Sequence, residues 1–421
     1  MAERNANGAG RPVSAREQAF RVLLRIAKDN AYSHLSFGPL DSLSGPDRSF
    51  ARALVLSTLE KQRLLDELLK PFLRKEPETG LQILLRTGLC QMLFLDRVPD
   101  SAACNETVLL AKTLYGKPRA NFVNAVLRAC SRDKEHMFAI METLPPAVRY
   151  SVSDGVWELL SEQYPADCAS ILEAFGRPQP LYVRCNTLRV SPSELAARLG
   201  GTADGTRVRV TENQSLAIRL TEEGLCFPQG YGSQEAVRLL DAKPGALVVD
   251  VCACPGGKSF GAALDMRNEG TVRSFDLHES KLSAVRSGAE KLGLTIVRAA
   301  CRDGRDPDPS LFGKADRVLC DVPCSGLGTL GAKPEIRYKD PASFAGLYET
   351  QAEILSASAS YVRPGGVLLY STCTWNKKEN EEQVSRFLAD HPAFRLTARK
   401  TYLPTEEAGE GFFVSRLEKT L

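Results

Sequence analysis

From about residue 240 onward the chain alternates short apolar strands with helical stretches, and this alternation limits the possible folds more than any other feature. The predicted strands are "ALVVDVCA", "TVRSFDL", "TIVRAAC", "ADRVLCDV" and "GVLLYSTC". Strands that alternate with helices in this way form a parallel sheet with helices packed on both faces. The sequence therefore predicts an α/β domain over residues 241–421.

The part of the chain before this domain has a different character. With 421 residues the chain is long enough for two or three domains. Residues 1–140 are predicted to form a helical domain that follows a polar leader, and its first helix is predicted in "SAREQAFRVLLRIAKD" with Ser14 as its N-cap and Glu17 three residues later. Residues 141–240 combine a helix in "SVSDGVWELLSEQY" with extended runs in "LYVRCNTLR", "TRVRV" and "LAIRL". We therefore predict an all-helical domain followed by a small α+β module.

The charge and hydropathy of the chain exclude few classes of protein. The net charge of +3 permits a polyanionic partner without requiring one. The polar N-terminus lacks the apolar core of a signal peptide, and no run of about 18 apolar residues occurs, so we expect a cytoplasmic protein with no membrane contact. Most of the 12 cysteines are expected to be packed thiols, because disulfides are rare in a reducing compartment. No obligate protein partner is evident, and a monomer is expected.

Carboxylates follow the predicted strands at the edge of the sheet where ligands bind. The first strand ends at Asp250 and continues into the glycine turn "CACPGGKS", and the later strands are followed by Asp276, Asp303 and Asp321. So many carboxylates would repel phosphates but suit a cation that carries hydroxyl groups. S-adenosylmethionine fits this pattern, with its ribose on Asp276 and its adenine edge on Asp303. Any one of these aspartates taken alone could equally cap a helix.

The same turn contains Cys252 and Cys254, which could suggest a metal. No matching group of cysteines or histidines follows in the sequence, so no metal site is predicted.

Two cysteines, Cys324 in "DVPCSG" and Cys373 in "GVLLYSTCTW", follow strands at this edge. If the two strands are neighbours, both thiols can face one substrate. Carbon 5 of a cytosine accepts a methyl group only after a thiolate has added to carbon 6, and the added thiol leaves after a base removes the carbon 5 proton. Asp321 is predicted to stabilise the charge that develops near ring nitrogen 3. The alternative is that both cysteines are unreactive packed thiols.

These residues resemble a known family. "DVCACPGGKS", "DVPCSGLGTL" with "KPEIRY", "YSTCTWNKKENEEQV" and the closing "LPTEEAGEGFFVSRLEK" are similar to motifs of the RNA cytosine-5 methyltransferases, whose catalytic domain is Rossmann-like. The helical N-terminus resembles the RNA-binding domain of the antitermination factor NusB. This combination is typical of the bacterial branch that modifies 16S ribosomal RNA, so the resemblance implies 16S rRNA as partner, unassembled or partly assembled.

The resemblance also implies roles for individual residues. Cys373 would be the nucleophile and Cys324 the thiol that assists product release. S-adenosylmethionine would be held by two sets of residues: the turn Cys252, Ala253, Cys254, Pro255, Gly256, Gly257 and Lys258, and the acids Asp276, Asp303 and Asp321. Cys254 stands where alanine is common, and Gly331 and Ala332 stand where arginines often occur, so some RNA contact is expected to be weaker or moved to Lys333, Arg337 and Lys339.

Three other functions remain open at this point. The target could be a cytosine in transfer RNA or at another ribosomal site; the chain could be a non-catalytic RNA-binding or antitermination protein; or it could methylate DNA, in which case Cys324 would be the nucleophile. Retention of both thiols and the acids argues against a protein that only binds RNA. Six basic residues of the N-terminal helices are predicted to contact phosphates: Arg21, Arg25, Lys112, Lys117, Arg119 and Arg128.

Overall fold

The computed structural model describes residues 13–29, 33, 36–405 and 407–420. The chain forms two compact units. The first contains the described residues up to Glu158 together with the segment Ala332–Lys339, and the second contains Leu159–Gly331 and Asp340–Leu421. One helix, Asp154–Gln163, includes the boundary between them. The division into parts at residues 140 and 240 stays a prediction.

The first unit is helical, as predicted. Its helices are α1 (Ala15–Asp29), α2 (Gly45–Glu60), α3 (Gln62–Leu69), α4 (Thr79–Phe94), α5 (Asp100–Tyr115), α6 (Lys117–Arg132), α7 (Lys134–Met141), α8 (Pro146–Arg149) and the start of α9 (Asp154–Gln163). The Ser14 hydroxyl accepts a hydrogen bond from the Glu17 amide at 3.2 Å, which confirms the predicted start of α1. One apolar core, from Ala15 to Met141, joins α1 to α7.

The segment Ala332–Lys339 is packed into this helical unit although it lies far away in the sequence. The Tyr338 hydroxyl donates to the Leu59 carbonyl oxygen at 2.8 Å, and the Arg337 guanidinium, only 2% exposed, donates to the Tyr150 carbonyl oxygen at 3.1 Å. The Arg337 carbonyl oxygen accepts from the Ser153 amide at 2.8 Å. These buried polar contacts make the segment part of the unit's interior.

The second unit begins with a small antiparallel sheet. Its strands are β1 (Leu181–Cys185), β2 (Gly201–Asp204), β3 (Arg207–Val210) and β4 (Cys226–Pro228), in the order β2-β3-β1-β4, and its helices are α10 (Cys168–Ala174), α11 (Pro192–Leu199) and α12 (Gln214–Glu222). This is the predicted α+β module, but the prediction of an extended "LAIRL" was wrong. The segment is part of α12: Ala217 and Leu220 are buried three residues apart, whereas Ile218 is 69% exposed.

A seven-stranded sheet carries the rest of the second unit. Its strands are β5 (Leu247–Asp250), β6 (Thr271–Asp276), β7 (Val297–Cys301), β8 (Ala315–Asp321), β9 (Val362–Thr372), β10 (Phe394–Tyr402) and β11 (Phe412–Lys419), in the order β10-β11-β9-β8-β5-β6-β7. Strands β5 to β9 pair in parallel, as predicted. Strands β10 and β11 add an antiparallel extension, so the sheet is mixed rather than purely parallel.

Helices cover both faces of this sheet, which confirms the predicted layering. They are α13 (Tyr231–Leu240), α14 (Gly257–Asp265), α15 (Glu279–Leu292), α16 (Ala345–Ala359) and α17 (Glu381–Asp390). Buried residues of α13, α14 and α15 form one apolar cluster, and those of α16 and α17 form another. The two clusters hold the strands between them, so the strand ends form a rigid edge on which functional side chains can be placed.

Candidate active site

Cys324 and Cys373 meet at the carboxyl ends of two neighbouring strands. Strands β8 and β9 pair in parallel with Asp321 opposite Ser371, and each cysteine follows its strand by one to three residues. The two Sγ atoms are 3.2 Å apart, both thiols are half-buried, and neither forms a disulfide. The predicted convergence of the two thiols is therefore confirmed as geometry.

Two glycines allow the loop after β8 to bring Cys324 to this position. Gly326 adopts φ 78°, a left-handed conformation that glycine takes without strain. The Gly328 amide donates to the Cys373 carbonyl oxygen at 3.0 Å. A Cβ atom on Gly328 would lie 1.8 Å from the Gly411 carbonyl oxygen, so only glycine permits this approach of three backbone segments.

The contact between the two thiols is a hydrogen bond in which either sulfur can be the donor. The hydrogen bond with Cys373 and burial raise the pKa of Cys324 well above its usual value. Cys324 therefore stays protonated near neutral pH and can donate to Cys373.

An ion pair lies beside the thiols. The Lys258 ammonium donates to Asp321 Oδ2 at 2.6 Å, and the Ser371 hydroxyl donates to Asp321 Oδ1 at 2.6 Å. Burial lowers the pKa of Lys258, but the Asp321 carboxylate, followed by Asp250 and the Cys373 sulfur, outweighs this effect, so the pKa is raised overall. Because the Coulombic attraction is mutual, the charged lysine favours the thiolate form of Cys373.

The glycine turn between β5 and α14 lies against Asp276. Gly256 has φ 114° directly before α14, and the Cys254 amide donates to Asp276 Oδ2 at 3.3 Å. Burial and the hydrogen bond to Asp276 raise the pKa of the Cys254 thiol to about 12. Burial also raises the pKa of Cys252 well above its usual value. Both thiols therefore stay protonated near neutral pH.

A cavity of about 190 Å³ opens beside this turn. It is lined by Pro228, Gln229, Gly230, Ser233, Asp250, Cys252, Ala253, Cys254, Pro255, Gly257, Lys258 and Asp321. Most of the predicted turn therefore lines one cavity together with Asp321. The side-chain amide nitrogen of Gln229 donates to the Gly257 carbonyl oxygen at 3.0 Å, which holds the start of α14 against the small sheet.

Asp250 is the most unusual residue of this cavity. It is 1% exposed, Oδ2 accepts from the Ser259 hydroxyl at 2.7 Å, and Oδ1 has no hydrogen-bond partner among the described residues. Burial raises the pKa of this carboxyl to about 7, although the bond from Ser259 lowers it. An unpartnered buried carboxylate oxygen at a cavity is a fitting acceptor for a cationic ligand group.

Asp303 follows Arg302, whose amide donates to the Asp276 carbonyl oxygen at 3.0 Å, so Asp303 lies close to Asp276 in the fold. It is paired with Arg305 at 2.7 Å and lines a separate, larger cavity of about 870 Å³. The Arg305 side chain, helped by its amide, lowers the pKa of the Asp303 carboxyl. The structure thus brings Asp321 and most of the turn to one cavity and places Asp276 against that turn, whereas Asp303 lines a different cavity.

The sequence predicts Asp250 as one of the carboxylates at the ligand edge but gives it no individual role, and it does not single out Glu379. The position of Asp250 beside the glycine turn is the signal that could assign it to the cofactor site. Glu379 gave no such signal, because in "NKKENEEQV" it looks like one charge of a solvated stretch, whereas its side chain is fully buried.

Comparisons with known proteins agree with this architecture. A family model described as 16S rRNA methyltransferase RsmB/F matches residues 237–418, the NusB family model matches residues 13–132, and a ferredoxin-like domain model of RsmF/B-like methyltransferases matches residues 156–226. The crystal structure of PH0851 shares the fold with a TM-score of 0.78 at 24% identity, over 98% of this chain and 100% of that chain. Together with these family matches, the fold defines the chain as an enzyme of the methyltransferase class.

Relatives narrow the class further. The probable ribosomal RNA small subunit methyltransferase B of Bacillus subtilis (strain 168) is 34% identical over 96% of this chain and 99% of its own length. The ribosomal RNA small subunit methyltransferase B of Vibrio cholerae is 34% identical over 80% of this chain and 80% of its own length. The chain belongs to the ribosomal RNA small subunit methyltransferase B family. Among the described residues, no helix is long and apolar enough to cross a membrane.

Proposed function

We propose that this methyltransferase transfers the methyl group of S-adenosylmethionine to carbon 5 of a cytosine in 16S ribosomal RNA, through a covalent adduct at carbon 6. The observation that carries the proposal is the 3.2 Å separation of two thiols, neither of them in a disulfide, at the cofactor end of the sheet. A protein that only binds RNA needs neither thiol. The names of the relatives favour ribosomal RNA over transfer RNA or DNA as the target.

Cys373 is the proposed nucleophile. Its thiolate, favoured by the Lys258 ammonium and by the hydrogen bond from Cys324, forms a bond to carbon 6 and makes carbon 5 nucleophilic. S-adenosylmethionine, when bound, would supply the methyl group, which passes to carbon 5 as its bond to the sulfonium sulfur breaks and S-adenosylhomocysteine is left. A base then removes the carbon 5 proton, the double bond reforms, and the bond between carbon 6 and sulfur breaks to regenerate the Cys373 thiolate.

Cys324 is the proposed thiol of the release step. In the free enzyme its hydrogen bond to Cys373 is the largest cause of its raised pKa. Once the Cys373 sulfur is bonded to carbon 6, that acceptor charge is gone, so Cys324 ionises more readily and can take up the carbon 5 proton. The pair thus changes roles in the course of one turnover.

The cavity residues fit the proposed cofactor. The unpartnered Asp250 Oδ1 is an acceptor for the ammonium group, and the turn Cys252–Lys258 brings backbone groups close to the same cavity. Asp276 is proposed to bind the ribose hydroxyls and Asp303 the adenine edge, the latter after release from Arg305. Asp321, paired with Lys258, is proposed to face the cytosine.

Separate replacement of the two thiols tests the mechanism. With S-adenosylmethionine and 16S rRNA transcript, Cys373→Ala should form no covalent RNA adduct on a denaturing gel, whereas Cys324→Ala should accumulate one, because the release step is lost. Cys320→Ala, at a buried thiol inside β8, is the matched control and should behave as the unchanged enzyme. An adduct with Cys373→Ala but none with Cys324→Ala would instead indicate Cys324 as the nucleophile.

The substrate is tested independently of the mechanism. Bisulfite mapping of ribosomal RNA from cells with and without the gene should show the loss of one 5-methylcytosine in 16S rRNA. An unchanged 16S pattern would contradict the proposed substrate.

A further inference from the structure

A fully buried carboxylate, Glu379, lies behind the thiol pair, in the loop between β9 and α17. Its Oε2 accepts from the Ser325 amide at 2.8 Å and from the Gln351 side-chain amide at 2.9 Å, and its Oε1 accepts from the Asn376 side-chain amide at 3.0 Å. No lysine or arginine pairs with it among the described residues. Neutral donors alone therefore hold a buried side chain that is costly to bury when charged.

The donors flank the two cysteines. Ser325 directly follows Cys324, and Pro323 directly precedes it. The side-chain amide of Gln351, on α16, also donates to the Pro323 carbonyl oxygen at 2.9 Å. Asn376 lies three residues after Cys373. Glu379 therefore ties both sides of Cys324, directly or through Gln351, to the loop that carries Cys373.

Glu379 also affects Cys324 through its negative charge. After the hydrogen bond with Cys373, burial and the charge of Cys373, the negative charge of Glu379 is a further cause that raises the pKa of Cys324. The charge of Glu379 therefore disfavours the thiolate form of Cys324, whereas its hydrogen bonds fix the position of Cys324.

We propose that Glu379 is a positioning residue for the methyl transfer reaction, which holds the Cys324 thiol in the place required for product release. The proposal rests on the proposed function, because it assigns the release step to Cys324. Glu379 touches neither thiol directly and acts through the backbone around Cys324.

The variant Glu379→Gln tests this in the full chain. Its amide group can no longer accept from Ser325, Gln351 and Asn376 together, so the Cys324 loop should shift. A misplacement of about 1 Å can cost about a hundredfold in rate. With 16S rRNA transcript and S-adenosylmethionine we expect turnover to fall by roughly that factor while the covalent RNA adduct accumulates, as in Cys324→Ala. Glu382→Gln, at an exposed glutamate in the first turn of α17, is the matched control.

A second readout does not depend on activity. In a Cys373→Ser background, alkylation of Cys324 by iodoacetamide, followed by peptide mass spectrometry across pH, reports how readily that thiol ionises. Loss of the Glu379 charge should move the alkylation profile to lower pH, and Glu382→Gln should leave it in place. If Cys324→Ala itself traps no adduct, the proposed release role fails, but the alkylation profile still tests the effect of Glu379.

The proposal is overturned if Glu379→Gln has unchanged turnover and an unchanged alkylation profile, or if it folds but forms no adduct, because the defect would then lie in attack rather than release. Should Glu379→Gln fail to fold, Gln351→Leu removes the bonds to Pro323 and Glu379 without adding a charge. It should give the same accumulation of adduct, and an unchanged adduct level in that variant would overturn the proposal.

Discussion

At the scale of single residues, the site is a set of groups whose protonation states depend on one another. Cys324 keeps its proton because a second thiol lies 3.2 Å away, and Lys258 keeps its charge because Asp321 accepts from it. Asp250 differs from both, since one of its oxygens has no partner among the described residues and its pKa is raised to about 7 by burial. A group that titrates near neutral pH makes its function sensitive to pH.

Asp250 therefore predicts how cofactor affinity depends on pH. Below pH 7 the carboxyl is mostly protonated and cannot pair with the ammonium group of S-adenosylmethionine; above it, the carboxylate can. Affinity should rise up to tenfold per pH unit as the pH approaches about 7, and fall again once the α-amino group of the ligand loses its proton above about pH 8.

Isothermal titration of the full chain with S-adenosylmethionine at several pH values measures this profile. Asp250→Asn should remove the acidic limb, because its side chain does not titrate. Glu349→Gln, remote from the residues that line the cavity, should retain the limb. An acidic limb that persists in Asp250→Asn would show that another group is responsible.

At the scale of elements, the sequence predicts the parts of the fold whose local pattern agrees with their final surroundings. The first helix has a cap at Ser14, and strands β5 to β9 are apolar because both of their faces are covered. The segment "LAIRL" was misjudged because a short apolar run does not distinguish a strand from a helix with a narrow buried stripe. Strand β10 gives little signal, because most of its residues are exposed at the edge of the sheet.

The candidate site could also be predicted only in part, at the residues that lie near strand ends. Asp321, Cys324 and Cys373 could be located because they lie at the end of a strand or within three residues after it, and the adjacency of β8 and β9 then brings them together. Glu379 could not, because its donors come from α16 and from the loop after β8, and only the folded chain brings these to it.

The contact between the loop after β8 and the C-terminal extension leads to a prediction at this scale. Gly328→Ala would place a Cβ atom 1.8 Å from the Gly411 carbonyl oxygen and 2.7 Å from that of Cys373. Because both neighbours are backbone, the loop must move. Overpacking of this kind costs about 1–3 kcal/mol, which denaturant unfolding should report as a lower midpoint.

Gly346→Ala is the matched control for Gly328→Ala. That glycine is exposed in the first turn of α16 with nothing within 4 Å of an added Cβ. The control should be neutral or stabilising by up to about 1 kcal/mol. Equal stability of the two variants would mean that the close approach at Gly328 is not rigid.

At the scale of the whole molecule, most of the basic residues predicted to contact RNA already have side-chain partners within the protein. Arg21 pairs with Glu17, Arg119 with Glu78 and Arg25 with Asp29. Arg128 donates to the side chain of Asn124 at 2.9 Å. Lys112 and Lys117 are exposed, and the described residues include no ion pair to either of them. These two lysines are therefore the strongest candidates for phosphate contacts on the helical unit.

The salt dependence of RNA binding tests whether Lys112 and Lys117 contact phosphates. Each phosphate contact that is lost should reduce the slope of log K against log salt by about 0.7 for single-stranded RNA. Lys112→Gln with Lys117→Gln should therefore reduce the slope by about 1.4, measured by fluorescence anisotropy with labelled 16S rRNA fragments. Lys70→Gln, at a lysine already paired with Glu67, is the control and should change the slope less. An unchanged slope in the double variant would exclude these lysines from the interface.

The packing of Ala332–Lys339 among the N-terminal helices has a practical consequence for dissecting the enzyme. A gene fragment that stops at codon 158 would encode every helix of that unit up to the start of α9, yet would leave the burial places of Arg337 and Tyr338 unfilled. To express either unit alone, the coding sequence must therefore be divided both after codon 158 and around codons 332–339, and the octapeptide Ala332–Lys339 must be joined to the helical unit.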